Sequence, residues 1–391
     1  MVDYEKMLNS KIQKIKPSGI RRFFDIANEM DHVISLSIGE PDFKTPWHVR
    51  EEGIRSLEKG KTWYSPNRGF ASLRTEICNY FKRRFNVEYH PDKEVLVTVG
   101  GSEAIDACIR CIVEAGEEVL IPQPSFVCYE PLAQMADANP VIIETKAENN
   151  FRLTPEELES HITPKSKLLI LPFPNNPTGA VMRRGDLEAI AEIVEKYNLF
   201  VLSDEIYGEL TYGGESHVSF SEIKGMKERT VVISGFSKTY AMTGWRLGYA
   251  LGPEAVLEQM TKLHQFAIMS APTTAQYAAI EALKNGDSDI ENMKKQYDMR
   301  RRLVVGSFQK MGLDCFEPHG AFYCFPSIKN TGLTSEEFCL GLINSKHVAV
   351  VPGNAFGECG EGFIRVSYSY SLNHLGEALN RIEEYLKEIK K

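Results

Sequence analysis

The sequence predicts an α/β protein: a large domain with a mostly parallel sheet covered by helices, followed by a smaller α+β domain. Seven short apolar runs alternate with helical patterns through the middle of the chain, and most are near-continuous, as is typical of strands buried on both faces. From about Pro272 this alternation gives way to long helical stretches and short strands. The chain has 391 residues, which is longer than a single hydrophobic core usually supports, so two domains are expected.

The first 45 residues predict a polar helix, a break at Pro17–Gly19, a second helix and a strand in the run VISLSIG. We expect segment 1–45 to join the smaller domain. The large domain is expected over residues 46–280 and the smaller one over 281–391.

The elements of the large domain follow from its hydrophobic periodicity. Its strand candidates are the seven apolar runs EVLVTV (94–99), EVLI (118–121), PVIIE (140–144), KLLILP (167–172), LFVLS (199–203), TVVIS (230–234) and LGYAL (247–251). Between them, Ile105, Ile109 and Ile112 share one helix face, and Leu187, Ile190 and Val194 share another. In the smaller domain the strand candidates are 320–327, 347–353 and 362–369, and an amphipathic helix covers 372–390.

Composition excludes several classes of protein. The net charge is −8, and the short basic runs at 82–84 and 300–302 lie in helix-like stretches, so a nucleic-acid binder is not expected. The apolar runs are strand-sized rather than membrane-spanning, and the polar N-terminus lacks a signal-peptide core. Eight scattered cysteines suit reduced thiols in a cytoplasmic protein, and we interpret Cys108 and Cys111 as core thiols rather than a metal or redox pair.

Four groups of polar residues follow predicted strands of the large domain. Gly100–Ala104 opens a helix after the first strand, where free backbone N–H groups bind phosphate well. The loop Asn175–Gly179, the acidic run Asp204–Tyr207 and the pair Ser237–Lys238 follow three later strands. Each group alone is equally typical of an ordinary turn, a helix cap or a surface charge. Together they would meet at the carboxyl edge of one sheet, where open α/β sheets bind ligands.

An arginine in the smaller domain completes the set. Arg365 alternates with apolar neighbours in GFIRVSY, which would suit a surface cation on a half-exposed strand or a two-point clamp for a carboxylate. A lysine, a carboxylate, an asparagine, a tyrosine, an arginine and a phosphate-binding helix start are what a cofactor with an aldehyde, a ring nitrogen, a phenolic oxygen and a phosphate requires.

The sequence resembles the class I/II aminotransferases, pyridoxal-phosphate enzymes of fold type I, over nearly its whole length. The motifs that carry the resemblance stand in the family's order: SIGEPDF (37–43), YSPNRG (64–69), GGSEA (100–104), PSFVCY (124–129), NNPTG (175–179), SDEIY (203–207), GFSKTYAMTGWRLG (235–248) and FIRVS (363–367). The fold implied is that of the aspartate aminotransferase superfamily.

The resemblance implies a catalytic role for three residues. Lys238 would form a Schiff base with pyridoxal phosphate and then shuttle the proton, while Asp204 would pair with the ring nitrogen. Tyr207, with Asn176, would hydrogen-bond the phenolic oxygen of the cofactor, and Phe126 would stack on its ring.

The cofactor phosphate would bind at the start of the first helix of the large sheet. The resemblance assigns this contact to the residues Gly101, Ser102 and Glu103, helped by Ser237 and Arg246.

The remaining assignments concern the substrate and a second subunit. Arg365 would bind the substrate α-carboxylate, helped by Gly39 and Asn176. Tyr64 would reach the phosphate in the neighbouring subunit, which implies a homodimer. Many relatives have serine three residues before the lysine, and Gly235 at that position removes one side-chain donor to the phosphate.

The activity implied is transfer of an amino group from an L-amino acid to a 2-oxo acid, expected to be 2-oxoglutarate, by a ping-pong mechanism in amino acid metabolism. Other reactions on this scaffold stay open, above all a carbon–sulfur β-lyase. A ligand-sensing transcription regulator would need a DNA-binding segment, and about 30 to 45 residues before the first motif are too few for one on ordinary domain sizes.

The substrate is left open among aspartate, aromatic and N-acetyl-diaminopimelate types. A second cation for a side-chain carboxylate could come from Arg21, Arg22 or Lys61, or these could be solvated surface charges.

Overall fold

The computed structural model describes residues 2–17 and 19–389, apart from the side chains of residues 21, 22, 24, 27 and 28. Within these residues the helices, in chain order, are α1 (Tyr4–Met7), α2 (Ser10–Lys14), α3 (Gly19–Glu29), α4 (Trp47–Glu58), α5 (Ala71–Phe85), α6 (Gly100–Ile112), α7 (Tyr129–Met135), α8 (Pro155–His161), α9 (Arg184–Lys196), α10 (Phe236–Thr239), α11 (Glu254–Ala267), α12 (Thr273–Asn285), α13 (Asp287–Lys310), α14 (Ser335–Lys346) and α15 (Leu372–Ile389). The strands are β1 (Ile34–Ser35), β2 (Val95–Thr98), β3 (Glu118–Gln123), β4 (Asn139–Glu144), β5 (Ser166–Leu171), β6 (Phe200–Asp204), β7 (Thr230–Gly235), β8 (Gly248–Leu251), β9 (Tyr323–Cys324), β10 (Val348–Ala349), β11 (Val351–Pro352) and β12 (Ile364–Ser367).

The large sheet contains all seven predicted strands, in the order β2-β8-β7-β6-β5-β3-β4. The pairs from β7 to β4 are parallel, whereas β8 is antiparallel to both β2 and β7. The predicted α/β fold with a mostly parallel seven-stranded sheet is therefore confirmed.

Both faces of this sheet are covered, which explains the near-continuous apolar runs. Along β2, Val95 and Val97 pack in one core with residues of α5 and α12, while Leu96 packs in another with residues of α6 and α11. Successive side chains of a strand point to opposite faces, so each strand contributes to two cores.

A smaller three-stranded antiparallel sheet, in the order β11-β12-β9, lies in the C-terminal part of the chain. The N-terminal segment packs with this part: β1 pairs with β10, and Phe23 and Leu36 share a core with Phe322 and Leu375. The earlier helix α2 instead contacts α7, where Lys11 Nζ donates to Asp137 Oδ2 at 2.5 Å. The assignment of segment 1–45 to the smaller domain and the boundaries 46–280 and 281–391 stay predictions.

The N-terminal elements differ in detail from the expectation. The polar N-terminal stretch forms two short helices, because the side chains of Asp3 and Asn9 each cap a separate helix start. Within the predicted break, Ser18 lies outside the described residues, and α3 begins at Gly19.

The predicted strands around the smaller sheet are also shorter than the apolar runs. The run VISLSIG pairs over two residues only, because the carbonyl of Leu36 accepts a hydrogen bond from Ser367 N rather than continuing the pairing with β10. The run 347–353 is divided at Val350 into β10 and β11, which belong to different sheets.

All eight cysteines are free thiols. Cys108 is buried in α6, where burial raises the pKa of its thiol, and Cys111 is half-buried. Among the helices of the described residues, none combines the length and the apolar character needed to cross a membrane.

Candidate active site

A cavity of about 830 Å³ lies at the carboxyl edge of the large sheet, where residues of the smaller sheet close it. Every predicted site residue except Glu103 and Tyr64 lines it, namely Gly39, Gly101, Ser102, Phe126, Asn176, Asp204, Tyr207, Ser237, Lys238, Arg246 and Arg365.

Strand direction explains why residues far apart in sequence meet here. The parallel strands β3, β5, β6 and β7 all end at this edge, so the segments that follow them lead into the cavity. Strand β8 runs in the opposite direction and therefore begins at this edge, which places Arg246 just before it beside the start of α6.

The carboxylate of Asp204 is buried at the end of β6. It accepts hydrogen bonds from Tyr129 Oη at 2.7 Å and from the backbone N–H of Ile206 at 3.2 Å. Burial raises the pKa of Asp204 to about 6, although these two hydrogen bonds oppose the shift. Asp204 forms no ion pair with any side chain that the structure describes, so it can complement a cationic group placed in the cavity.

The amine of Lys238 donates a hydrogen bond to the carbonyl oxygen of Gly39 at 2.5 Å. Burial lowers the pKa of Lys238 to about 8; the nearby cations Arg365 and Arg246 add to the shift, and Glu40 opposes it. A lysine with such a pKa supplies a neutral, nucleophilic amine close to neutral pH.

Arg365 is only 2% exposed, so it is not a surface cation. All four side chains of β12 are buried, which excludes the alternative of a surface cation on a half-exposed strand. Arg365 Nη1 donates to Asn176 Oδ1 at 3.0 Å and Nη2 to the carbonyl of Ser37 at 2.5 Å, while Nε has no hydrogen-bond partner among the described residues. The guanidinium forms no ion pair within the described part of the chain, and burial lowers the pKa of Arg365. A buried arginine without a carboxylate partner is well suited to bind an anion.

Two tyrosines that the sequence analysis did not single out belong to the site. Tyr129 holds Asp204, and Tyr323 Oη lies 2.9 Å from Tyr207 Oη. Tyr129 closes the quoted motif PSFVCY, three positions after Phe126, so its place beside the site had a sequence signal. For Tyr323, the sequence shows only that it lies in the strand candidate 320–327.

The start of α6 approaches Arg246 closely because two positions are glycine. Gly100 has φ +76°, and a Cβ built on it would lie 2.7 Å from Arg246 Nη2. A Cβ on Gly248 would lie 2.6 Å from the carbonyl carbon of Gly100. The backbone N–H groups of a helix start and an arginine thus face one side of the cavity, together with the side chain of Ser102.

Glu103 does not line the cavity with its side chain. Its Oε2 accepts a hydrogen bond from Val99 N at 2.5 Å, and its Oε1 lies 2.5 Å from Nδ1 of the buried His264. The carboxylate holds the first turn of α6 in place, and only the backbone of Glu103 could contact a ligand at the helix start.

Tyr64 is 74% exposed and does not line the cavity. From the sequence, Lys61 is a candidate to bind a side-chain carboxylate of the substrate. Its Nζ lies 3.9 Å from the centre of the Tyr277 ring, and the residue does not line the cavity. The side chains of Arg21 and Arg22 lie outside the described residues.

The chain is similar to known aminotransferases over nearly its whole length. Residues 31–382 match the family described as aminotransferase class I and II. YugH of Bacillus subtilis, which is named as an aminotransferase, is 52% identical over 97% of this chain and 98% of its own length. The aspartate aminotransferase of Pyrococcus abyssi is 45% identical over 98% of this chain and 99% of its own.

The same similarity extends to solved structures. The aromatic aminotransferase from Pyrococcus horikoshii OT3 superposes with a TM-score of 0.90 at 44% identity, covering 94% of this chain and 99% of that one. With relatives of this identity and coverage, the chain belongs to the class I and II aminotransferase family and is a transaminase.

Proposed function

We propose that this transaminase uses pyridoxal phosphate to move the amino group of an L-amino acid to a 2-oxo acid, with 2-oxoglutarate as acceptor, in a ping-pong mechanism. One observation carries the proposal: a lysine, an aspartate and an arginine, all withdrawn from solvent and without ion-pair partners among the described residues, face a single cavity.

The residues present fit this cofactor. Asp204 would pair with its ring nitrogen, Phe126 would stack on the ring, and the start of α6 with Ser237 and Arg246 would hold its phosphate. Asn176 accepts from Arg365 through Oδ1, which leaves its amide N–H groups to donate to the phenolic oxygen alongside Tyr207.

Gly235 fits the same arrangement. A Cβ on Gly235 would lie 3.0 Å from Gly248 Cα and 3.1 Å from the Leu247 carbonyl oxygen, so a larger residue would press on the paired strand β8. The absence of a side chain at position 235 thus matches the tight contact between β7 and β8.

When bound, pyridoxal phosphate would supply an aldehyde for the amino group and a protonated ring that withdraws electrons from the substrate α-carbon. Asp204 keeps a positive charge favourable at that ring nitrogen. Lys238 Nζ would take the proton from the substrate α-carbon and hold it for return, so one amine would serve as both base and acid. Arg365 fixes the α-carboxylate, which the amino acid and the 2-oxo acid share, so one cavity can serve both half-reactions.

We further propose a homodimer. An apolar patch is formed by Trp63, Tyr64, Phe266, Ile268 and Met269, which are between 43% and 88% exposed. The patch is continuous, because Asn67 Nδ2 donates to the carbonyl of Met269 and Thr273 Oγ1 donates to that of Trp63.

The apolar patch is linked to the first turn of α6, since His264 of α11, two residues before Phe266, contacts Glu103. A patch of this kind on a chain is typical of a protein–protein interface. A second copy covering it would bring Tyr64 towards the neighbouring site, as the family resemblance implies.

The substrate is proposed to be of the aspartate, aromatic or N-acetyl-diaminopimelate type. The cavity wall includes Ile20, Ile38, Ile105 and Val127, which offer apolar contact to a donor side chain. The β-lyase alternative is not favoured, because the relatives named above are aminotransferases.

The test is the absorption spectrum of the purified holoenzyme before and after single L-amino acids are added. We expect the band of the bound cofactor to be replaced by that of its amine form and to return with 2-oxoglutarate; the amino acids that react fastest identify the substrate class. The variant Lys238→Ala is the control and should not turn over. Release of ammonia and pyruvate without an acceptor would contradict transamination and indicate a lyase.

A further inference from the structure

Tyr323 contacts three parts of the proposed catalytic machinery at once. It is 1% exposed, lies on β9 of the smaller sheet and lines the cavity. Its hydroxyl is 2.9 Å from that of Tyr207, which follows β6 of the large sheet. One side chain therefore joins the two sheets at the site.

The ring of Tyr323 supports the arginine. The Cζ atom of Arg365 lies 4.5 Å from the centre of this ring and 4.8 Å from that of Phe356. A guanidinium close to aromatic rings gains cation–π stabilisation, which is larger away from water. The plane of Arg365 is thus held by two rings as well as by its hydrogen bonds to Asn176 and Ser37.

The hydroxyl of Tyr323 also lies directly against the backbone that receives Lys238. A Cβ built on Gly39 would lie 2.5 Å from Tyr323 Oη, so only glycine allows this approach. The carbonyl of the same Gly39 accepts the hydrogen bond from Lys238 Nζ.

We propose that Tyr323 is a positioning residue: its hydroxyl donates to Tyr207 Oη and leaves the Tyr207 proton directed into the cavity, while its ring holds Arg365. This rests on the proposed function, in which Tyr207 donates to the phenolic oxygen of the cofactor and Arg365 binds the α-carboxylate. A chain of hydrogen bonds strengthens each member, so Tyr207 is a better donor with Tyr323 than without it.

Two variants separate the roles of the hydroxyl and the ring. Tyr323→Phe keeps the ring beneath Arg365 and removes only the hydroxyl. Tyr323→Leu removes the aromatic face as well. Tyr368→Phe is the matched control, because Tyr368 is equally buried, donates to the carbonyl of Ala321 at 3.2 Å and does not line the cavity.

The first measurement is an absorbance titration of the resting holoenzyme against pH, which reports on the proton of the bound cofactor without any turnover. We expect Tyr323→Phe to raise the midpoint by about half a pH unit, since a weaker donor favours the anionic phenolic oxygen less. We expect kcat to fall about 2- to 10-fold with little change in KM, the range for one hydrogen bond.

For Tyr323→Leu we expect an added increase of about 3- to 30-fold in the Kd of a non-reactive carboxylate inhibitor, from the lost cation–π contact. Tyr368→Phe should match the wild type in all three measurements. A wild-type midpoint and kcat in Tyr323→Phe, or a wild-type inhibitor Kd in Tyr323→Leu, would overturn the proposal. If the wild type binds no cofactor, the proposed function fails instead, and the two failures are distinct.

Discussion

Lys238 is a residue whose pKa, and therefore nucleophilicity, depends strongly on its surroundings. Burial lowers its pKa to about 8, so the fraction of neutral amine in the cofactor-free protein increases as the pH rises towards that value. The neutral form is the one that can attack an aldehyde. The surroundings of Lys238 therefore set the pH at which the protein can acquire its cofactor.

We predict that the rate at which cofactor-free protein binds pyridoxal phosphate covalently rises with pH and levels off above about pH 8. Stopped-flow absorbance after mixing measures this rate. The variant Lys238→Ala should remain folded by circular dichroism and show no covalent phase. A rate that continues to rise to the usual pKa of a lysine would show that the amine is not desolvated.

Asp204 is the second residue for which we predict the effect of a substitution. In Asp204→Ala the hydroxyl of Tyr129 and the N–H of Ile206 lose their acceptor. Under the proposed function, the ring nitrogen of the cofactor would also lose its anionic partner. We predict that the variant retains part of its cofactor and loses most of its activity, as measured by absorbance and by the rate of the half-reaction. Near-normal rates with bound cofactor would contradict the pairing.

The position of some site residues could be predicted from the sequence, whereas the burial of Arg365 could not. Asn176, Asp204 and Lys238 follow predicted strands, and the carboxyl edge of a parallel sheet explains why they meet. The burial of Arg365 could not be predicted, because it depends on aromatic rings from two other segments, Tyr323 and Phe356.

Among the elements, α6 has an unusual start. Its N-cap position, Val99, has no side chain that can cap the helix, and the carboxylate of Glu103 accepts the Val99 N–H instead. The same carboxylate contacts His264, whose other ring nitrogen, Nε2, has no hydrogen-bond partner in the described part of the chain. The family resemblance assigns Glu103 to the cofactor site. The sequence alone does not show that its side chain points towards Val99 and His264.

We predict that Glu103→Ala lowers the free energy of unfolding by about 1–3 kcal/mol, because it leaves the buried ring of His264 unsatisfied. It should also weaken binding of pyridoxal phosphate, since the first turn of α6 loses its support. Denaturant unfolding and fluorescence titration measure the two effects. Asp106→Ala on the same helix, which breaks a surface pair with Arg110, is the control and should change stability by less than about 0.5 kcal/mol. Equal effects of the two substitutions would refute the supporting role of Glu103.

The direction of β8 has a partial signal in the sequence. The connection from Gly235, where β7 ends, to Gly248, where β8 begins, holds the four-residue helix α10 and a 3₁₀ turn at Thr243–Trp245. Parallel neighbours are usually joined by a crossover with a longer helix, so a connection of this length favours an antiparallel partner. The apolar pattern of β8 alone does not distinguish the two directions.

At the scale of the whole molecule, the apolar patch predicts the oligomeric state. Phe266 is 88% exposed on α11, and we predict that Phe266→Glu shifts the protein from dimer to monomer and lowers activity, because Tyr64 no longer reaches a neighbouring site. Sedimentation velocity measures the first effect and the half-reaction the second. Leu372→Glu, at a residue 46% exposed on α15, is the control and should stay dimeric. A wild-type protein that sediments as a monomer would rule out the proposed interface.

His48 connects three helices near the start of α13. Its ring contacts Glu281 of α12 at 2.8 Å and Asp289 of α13 at 3.0 Å. Although burial opposes it, hydrogen bonds and attraction from Asp289 and Glu281 raise the pKa of His48 above 6.5. A raised pKa means that the folded protein binds the proton more tightly than the unfolded chain.

We therefore predict a contribution to stability that is complete below the ordinary histidine pKa and is lost as the pH rises through the raised value. Unfolding in urea at a series of pH values measures it for the wild type and for His48→Gln. The difference between the two should shrink with increasing pH. A difference that is independent of pH would show that the ring acts through packing alone.

The order of strands in the large sheet has a consequence for biosynthesis. Strand β2 lies at the edge and, among the described strands, pairs with β8 alone, which the ribosome adds much later. The contact between α6 and Arg246 can therefore form only after β8 has been synthesised. Arg365 lies on β12, which is synthesised after the helices α11 to α14. Under the proposed function, a nascent chain would thus contain the residues proposed to hold the cofactor phosphate before it contains the residue proposed to bind the substrate carboxylate.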